Sequence, residues 1–198
     1  MTPRAWLIDL DGTLYRALPV KLAMALELLL FGWAVAAPLR CFRHVHEELR
    51  RDPAAPAGDP FAVQLERAAA RAGLGSRELE AIVREWMLER PGKWLRPARR
   101  SGLFAELARF RAAGGKSALV SDYPARAKLR ALGAADLFDV VVAAGEPEGP
   151  PRLKPAPDGL LGAARALGVE PAECLVIGDR DDADGEAARR AGMAFRRV

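Results

Sequence analysis

Two aspartates one residue apart, Asp9 and Asp11, close the apolar run Trp6-Leu7-Ile8. On an extended segment residues i and i+2 share a side, so these carboxylates converge where the strand ends. Gly12 then lets the chain turn sharply. Like charges that close need a cation or a shared proton to relieve them. Comparable endings recur downstream: Leu119-Val120 runs into Ser121 and Asp122, and Val176-Ile177-Gly178 into Asp179, with Asp181, Asp182 and Asp184 following. Lys154-Pro155 precedes a predicted helix. Carboxylates, a hydroxyl and an ammonium together suit a hard divalent cation and a phosphate, provided one edge of the fold collects them.

The elements that must do the collecting are legible. Short apolar runs bounded by Gly, Asp or Pro predict strands at Trp6–Asp9, Ser117–Val120, Val140–Ala143, Leu175–Ile177 and Ala194–Val198. Helices are predicted at Leu103–Ala113, Ala125–Leu132, Pro157–Leu167 and Asp184–Ala191, followed in turn by Gly114, Gly133, Gly168 and Gly192. This alternation predicts an α/β fold with a Rossmann-like parallel sheet, whose ligands bind beyond the carboxyl ends of the strands.

The segment 16–95 has a different texture. It carries no convincing strand and predicts four helices, Val20–Ala36, Pro38–Arg51, Pro60–Ala72 and Ser76–Glu89, with a Pro- and Ala-rich connector at Asp52–Pro60. The expected organisation is a discontinuous core, 1–15 and 96–198, with an all-α insertion at 16–95. The apolar run Leu28–Leu39 is shorter than the roughly 20 residues a bilayer span needs, and Glu27 and Arg40 flank it, so a buried helix is expected. A dimer face is its alternative.

Composition narrows the function classes. With 51% apolar residues among 198, the chain can build a core and is not a disordered segment. Thirty basic and 26 acidic residues are interspersed, leaving a net charge of +4 without a basic, aromatic-interleaved face, so no nucleic-acid partner is expected. Cys41 and Cys174 lack metal-type spacing and read as reduced thiols. No signal-peptide pattern opens the chain. Together these predict a cytoplasmic protein with no membrane partner, monomeric or homodimeric. His44 and His46, at i and i+2, do not share a helical face and read as surface residues. Trp33, Trp86 and Trp94 are expected to pack the insertion or its seam.

The ordered set of strand endings resembles the haloacid dehalogenase superfamily, most of whose members are phosphatases. Asp9–Thr13 matches its Asp-x-Asp-x-Thr motif in full, Ser121 its strand-closing hydroxyl, Lys154 its lysine, and Gly178, Asp179 and Asp184 its Gly-Asp motif with a second acid. The helical segment stands where that family carries its cap. The resemblance implies that Asp9 attacks phosphorus and forms an aspartyl-phosphate. It makes Asp11 the acid for the leaving oxygen and the base for water. It implies a Mg2+ ion on the carboxylates of Asp9 and Asp179 and the backbone carbonyl of Asp11. Ser121, Lys154, Gly12 and Thr13 would hold the phosphoryl group, and Asp184 would support Lys154 or a metal-bound water.

Dehalogenases of this family typically lack the second aspartate, and phosphonatases depart there too, so Asp11 favours hydrolysis of a small phosphorylated metabolite. A phosphotransferase or phosphomutase, or a silent phosphoprotein-binding scaffold, are the alternatives. Asp122 stands where many relatives carry Asn and is expected to cap the next helix. Arg16 could meet a substrate or a surface acid, and Trp94 could line the substrate entrance.

Overall fold

The computed structural model describes residues 2–52 and 57–198, so residues 53–56 of the expected connector lie outside the described residues. Five strands form one parallel sheet: β1 (Ala5–Ile8), β2 (Lys116–Ser121), β3 (Val140–Ala143), β4 (Cys174–Gly178) and β5 (Ala194–Arg197), in the order β3-β2-β1-β4-β5. β1 is central. Ala5 stands opposite Lys116 on one side and Cys174 on the other, and Ile8 opposite Leu119 and Ile177. Both faces of the sheet are covered, as parallel sheets require. Leu7, Ala118, Val120 and Val176 face one apolar layer, and Ile8, Leu119 and Ile177 face the other.

The helices of the core are α6 (Ser101–Ala112), α7 (Arg126–Leu132), α8 (Asp158–Leu167) and α9 (Glu186–Ala191), close to their predicted positions. The last is preceded by a π-helical turn, Asp181–Gly185, that the sequence reading absorbed into the helix.

Between β1 and α6 the described residues form helices and no named strand: α1 (Ala17–Phe31), α2 (Ala36–Arg51), α3 (Pro60–Ala72), α4 (Ser76–Val83) and α5 (Gly92–Ala98). The predicted Val20–Ala36 helix ends at Phe31, where Gly32 leaves helical geometry (φ −136°, ψ 21°) and packs so closely on the Trp86 ring that a side chain there would collide; a short 3-10 turn, Trp33–Val35, follows. A π-helical turn at Arg84–Glu89 and the helix α5 complete the segment.

Its own core is built from periodicity: Leu39, Phe42, Val45 and Leu49 line one face of α2, against Phe61, Leu65 and Ala68 of α3 and Leu79 and Val83 of α4. This cluster reaches the sheet domain at Ala144 and Leu153. The two chain passages joining insertion to sheet run side by side: Tyr15 and Arg99 form an antiparallel bridge, Arg16 N–H donates to Ala98 O at 2.9 Å and Arg100 N–H to Leu14 O at 2.9 Å.

Two expectations fail here. The run 28–39 is not a buried helix: Leu29, Leu30, Phe31 and Trp33 are all exposed, and Trp33, at 78%, does not pack the interior of the insertion. His46 is buried rather than on the surface, because α2 turns it inward with Phe42 and Leu49. Its ring stacks on Tyr123 at 4.4 Å and its Nδ1 lies 3.0 Å from Gln64 Oε1. His44 is exposed as expected, 3.1 Å from Glu48.

Candidate active site

Asp9 follows β1, its amide donating to Ile177 O at 2.9 Å and so extending the strand pairing by one residue. Its carboxylate accepts from Lys154 Nζ at 2.6 Å on Oδ1 and from Thr13 Oγ1 at 3.0 Å on Oδ2. Lys154 also reaches Asp184 Oδ1 at 2.6 Å and Val120 O at 3.2 Å, so one buried ammonium joins the ends of β1 and β2 to the turn before α9. Burial alone would lower the Lys154 ammonium, but Asp9, Asp184 and Asp122 outweigh it and hold Lys154 well above the usual lysine range.

Asp179 closes β4 beside Gly12. A Cβ on Gly12, whose φ is +94°, would stand 2.2 Å from Asp179 Oδ2. Gly178 has the same relation to Asp184, with an added Cβ only 2.4 Å from its carboxyl. Two glycines thus make the room in which two carboxylates pack against backbone. Asp9, Asp179 and Asp184 offer oxygens within 4.8 Å of one another. Hard oxygen donors in that number suit Mg2+ or Ca2+.

The charge balance fits a cation as well. Asp9, Asp11, Asp179 and Asp184 face the two ammonium groups of Lys128 and Lys154, an excess of two negative charges. Burial, reinforced by the charges of Asp184 and Asp11 and opposed by Lys154, pushes the Asp9 carboxyl up to about 7. Burial and Asp184 likewise raise Asp179. Both shifts come first from burial and then from the neighbouring carboxylates.

Asp11 is held differently. Its carboxylate accepts from Lys128 Nζ at 2.7 Å on each oxygen and from the Tyr15 hydroxyl. Burial would raise it, but the Lys128 ammonium and the two donors outweigh burial and keep Asp11 below the usual carboxylate range. Its side chain therefore does not join the three-carboxylate cluster. The resemblance asks only for its backbone carbonyl there.

Ser121 ends β2 and is buried, with its Oγ accepting from Tyr123 N–H at 3.2 Å. Asp122 does not cap α7. It accepts from Lys154 N–H at 3.1 Å instead, and Glu146 Oε1 caps α7 by accepting from Ala125 and Arg126 N–H at 2.8 and 2.9 Å. Asp181 and Asp182 face solvent, paired with Arg189 and Arg180 as outlying loop acids.

Three residues the sequence reading passed over belong to the site. Lys128 lies in a stretch, Arg126-Ala127-Lys128-Leu129-Arg130, that reads as an ordinary basic helix face. Tyr15, four residues after Asp11, carries the one available signal, its place in the turn that follows the first motif. Arg50 comes from the insertion: it is buried, donates from Nε to Lys154 O at 2.8 Å and lies 3.8 Å from Asp122 Oδ2. Glu47, one turn back, pairs with Arg50 at 3.1 Å and with Arg180 at 3.2 Å. Helix α2 is thereby tied to the loops that hold Lys154 and Asp179. Among the described residues Arg16 makes no side-chain contact that assigns it a role, while Trp94 donates to Glu27 Oε1 at 2.6 Å and so belongs to the seam between α1 and α5.

The chain is similar to known proteins in sequence and in fold. The curated fructose-1-phosphate phosphatase YqaB of Escherichia coli K12 is 45% identical over 69 residues, which span 35% of this chain and 35% of that relative. The L-2-haloacid dehalogenase of Xanthobacter autotrophicus superposes with a TM-score of 0.67 at 22% identity, covering 100% of this chain and 78% of that one. The HAD-hydrolase YfnB of Bacillus subtilis, solved bound to magnesium, superposes at 0.66 and 17% identity, covering 98% and 88%. These two likenesses establish the shared fold. A family model for haloacid dehalogenase-like hydrolases matches residues 3–192, nearly end to end, and the chain belongs to that family.

Proposed function

We propose that this hydrolase is a magnesium-dependent phosphatase that cleaves a small phosphorylated metabolite through an aspartyl-phosphate on Asp9. The observation that carries the reading is the Asp9 carboxylate, held by Lys154 and Thr13 at the edge of a three-carboxylate cluster, with a second aspartate two residues on. The likeness to a fructose-1-phosphate phosphatase and to a magnesium-bound hydrolase supports it.

Asp9, Asp179 and Asp184, with the carbonyl of Asp11, would hold the ion. A Mg2+ ion held there would offset the excess carboxylate charge and supply Lewis-acid stabilisation to the phosphoryl oxygens. Asp9 attacks phosphorus as the bond to the leaving oxygen breaks, and Asp11 gives that oxygen a proton. In the second half Asp11 takes a proton from water, the water oxygen attacks phosphorus, and the bond to Asp9 breaks to release phosphate.

Lys154 and Ser121 would offset charge spread over the equatorial oxygens. The contact with Lys128 keeps Asp11 in the ionised form that serves this second half. The first half uses a protonated Asp11, which loosening of that contact by an entering substrate would favour. Asp9 is 12% exposed, so the helical segment would act as a cap that opens for the substrate about the paired 14–16 and 98–100 passages.

The test is phosphate release from a panel of phosphate esters with magnesium, set against Asp9→Asn. Free phosphate should appear from at least one ester in water alone. No release above the variant would overturn the reading, and release only with a sugar acceptor would make the protein a phosphotransferase.

A further inference from the structure

We infer that the outer side of α1 is the interface of a homodimer. The described residues leave eight large apolar side chains exposed, and seven of them lie between Leu18 and Trp33. The eighth, Trp94, is hydrogen-bonded to Glu27 of the same helix. Leu18, Leu22, Leu26, Leu29 and Leu30 fall on one side of α1 at 3.6 residues per turn. The opposite side, Val20, Met24, Glu27 and Leu28, packs on the protein. Phe31, the last residue of α1, lies on the Val20 side, and Trp33 follows in the 3-10 turn; both rings are exposed at the helix end. A helix apolar around its whole circumference is one that expects burial on both sides. Here only one side is covered.

The size and pattern of the stripe select the occupant. Five leucines at 57–72% exposure put on the order of 600 Å2 of apolar surface on one side of α1, and the rings of Phe31 and Trp33 at its end bring the exposed total to about 1,000 Å2. The largest patch on an ordinary monomer is about 300–600 Å2, and a stable interface uses about 800 Å2 per partner. Within α1, Leu22, Leu26 and Leu29 are spaced 4-3, the spacing of a seam that interdigitates with another helix.

A second copy presents the same stripe, of the same length and without charge, and two such stripes pair about a twofold axis. Lys21 and Glu27 are the only ionisable residues of α1, and Glu27 is turned inward to Lys93 at 2.9 Å. A nucleic acid or a charged peptide would find little to bind. A membrane surface would ask for a helix with one strongly charged face, which α1 lacks. Among the described residues no single helix is long and apolar enough to cross a bilayer.

The test is sedimentation equilibrium of the full chain over a concentration series, alongside Leu22→Glu/Leu29→Glu and the milder Leu22→Ala/Leu29→Ala. The wild type should be a dimer at about 10 µM, the glutamate pair a monomer with an unchanged circular dichroism spectrum, and the alanine pair at least about 10-fold weaker in dimerisation. A wild-type monomer at that concentration, or a dimer that both variants leave intact, would overturn the proposal. So would a monomeric wild type that pelleted with phosphatidylglycerol vesicles, which would assign the stripe to a membrane surface. Should the glutamate pair fail to fold, the alanine pair and the wild-type concentration series still decide.

Discussion

Lys128 and Asp11, 117 residues apart in sequence, form a two-pronged contact: the ammonium is 2.7 Å from each carboxylate oxygen. Helix α7 supplies Lys128, and the Tyr15 hydroxyl also donates to Asp11. The contact fixes the side chain that the proposed mechanism uses twice for proton transfer.

Removing the ammonium should therefore cost stability through Asp11. Lys128 is buried and Asp11 about one-third exposed, so Lys128→Met is expected to cost about 2 kcal/mol, below the 3–5 kcal/mol of a fully buried broken pair. For a chain of this size that lowers the melting temperature by roughly 4–8 °C. The check is a double-mutant cycle with Asp11→Asn. The double variant should lose at least about 1 kcal/mol less than the two single losses added together. Strict additivity would mean that the two side chains do not depend on each other.

Gly12 admits the chain to the Asp179 carboxylate. Gly12→Ala forces a side chain into a left-handed backbone, at about 1–2 kcal/mol, and pushes Asp179 out of its place. Under the proposed function, magnesium should raise the melting temperature of the wild type and do so much less for Gly12→Ala. Equal magnesium-induced shifts in the two proteins would show that Asp179 need not stand where Gly12 lets it.

Asp184 shares the Lys154 ammonium with Asp9 and also stands within the carboxylate cluster. Asp184→Asn is expected to weaken magnesium binding about 10–100-fold. Asp182→Asn, two residues away but facing solvent and paired with Arg180, should leave it unchanged. Calorimetric titration of magnesium into both variants decides between a role in the site and a merely electronegative loop.

How much of this was legible follows from what each signal depends on. The strand ends at Asp9, Ser121 and Asp179 could be read because a short apolar run closed by a polar residue is a local pattern, and the sheet edge collects such ends whatever the details. Lys128 could not, since nothing local separates it from Arg126 and Arg130; only the packing of α7 beside the first turn does. Asp122 reads as a cap because it precedes a helix, but Glu146, from the segment after β3, accepts from the α7 amides and leaves Asp122 for the Lys154 backbone. The α1 run misled for a different reason. Hydropathy registers that a segment wants burial and says nothing of whether the same chain supplies the cover. His46 was recoverable, because Phe42, His46 and Leu49 recur at helical spacing on the buried face of α2.

That burial gives His46 a pH signature. Desolvation lowers its pKa below the ordinary 6.5, against smaller opposing contributions from Asp122 and Gln64. The unfolded chain therefore binds a proton near pH 6.5 while the folded chain does so only at lower pH. Stability from this residue is fully present above about pH 6.5 and declines as pH falls below it, by up to about 1.4 kcal/mol per pH unit until the folded form also protonates. Protonation would place a charge against the Tyr123 ring and Arg50, in the contact that ties α2 to the Lys154 loop. Urea unfolding at pH 7.5, 6.5 and 5.5 should show the wild type losing stability faster than His46→Gln over the two lower values. Parallel losses would mean that acid sensitivity in this range arises elsewhere in the chain.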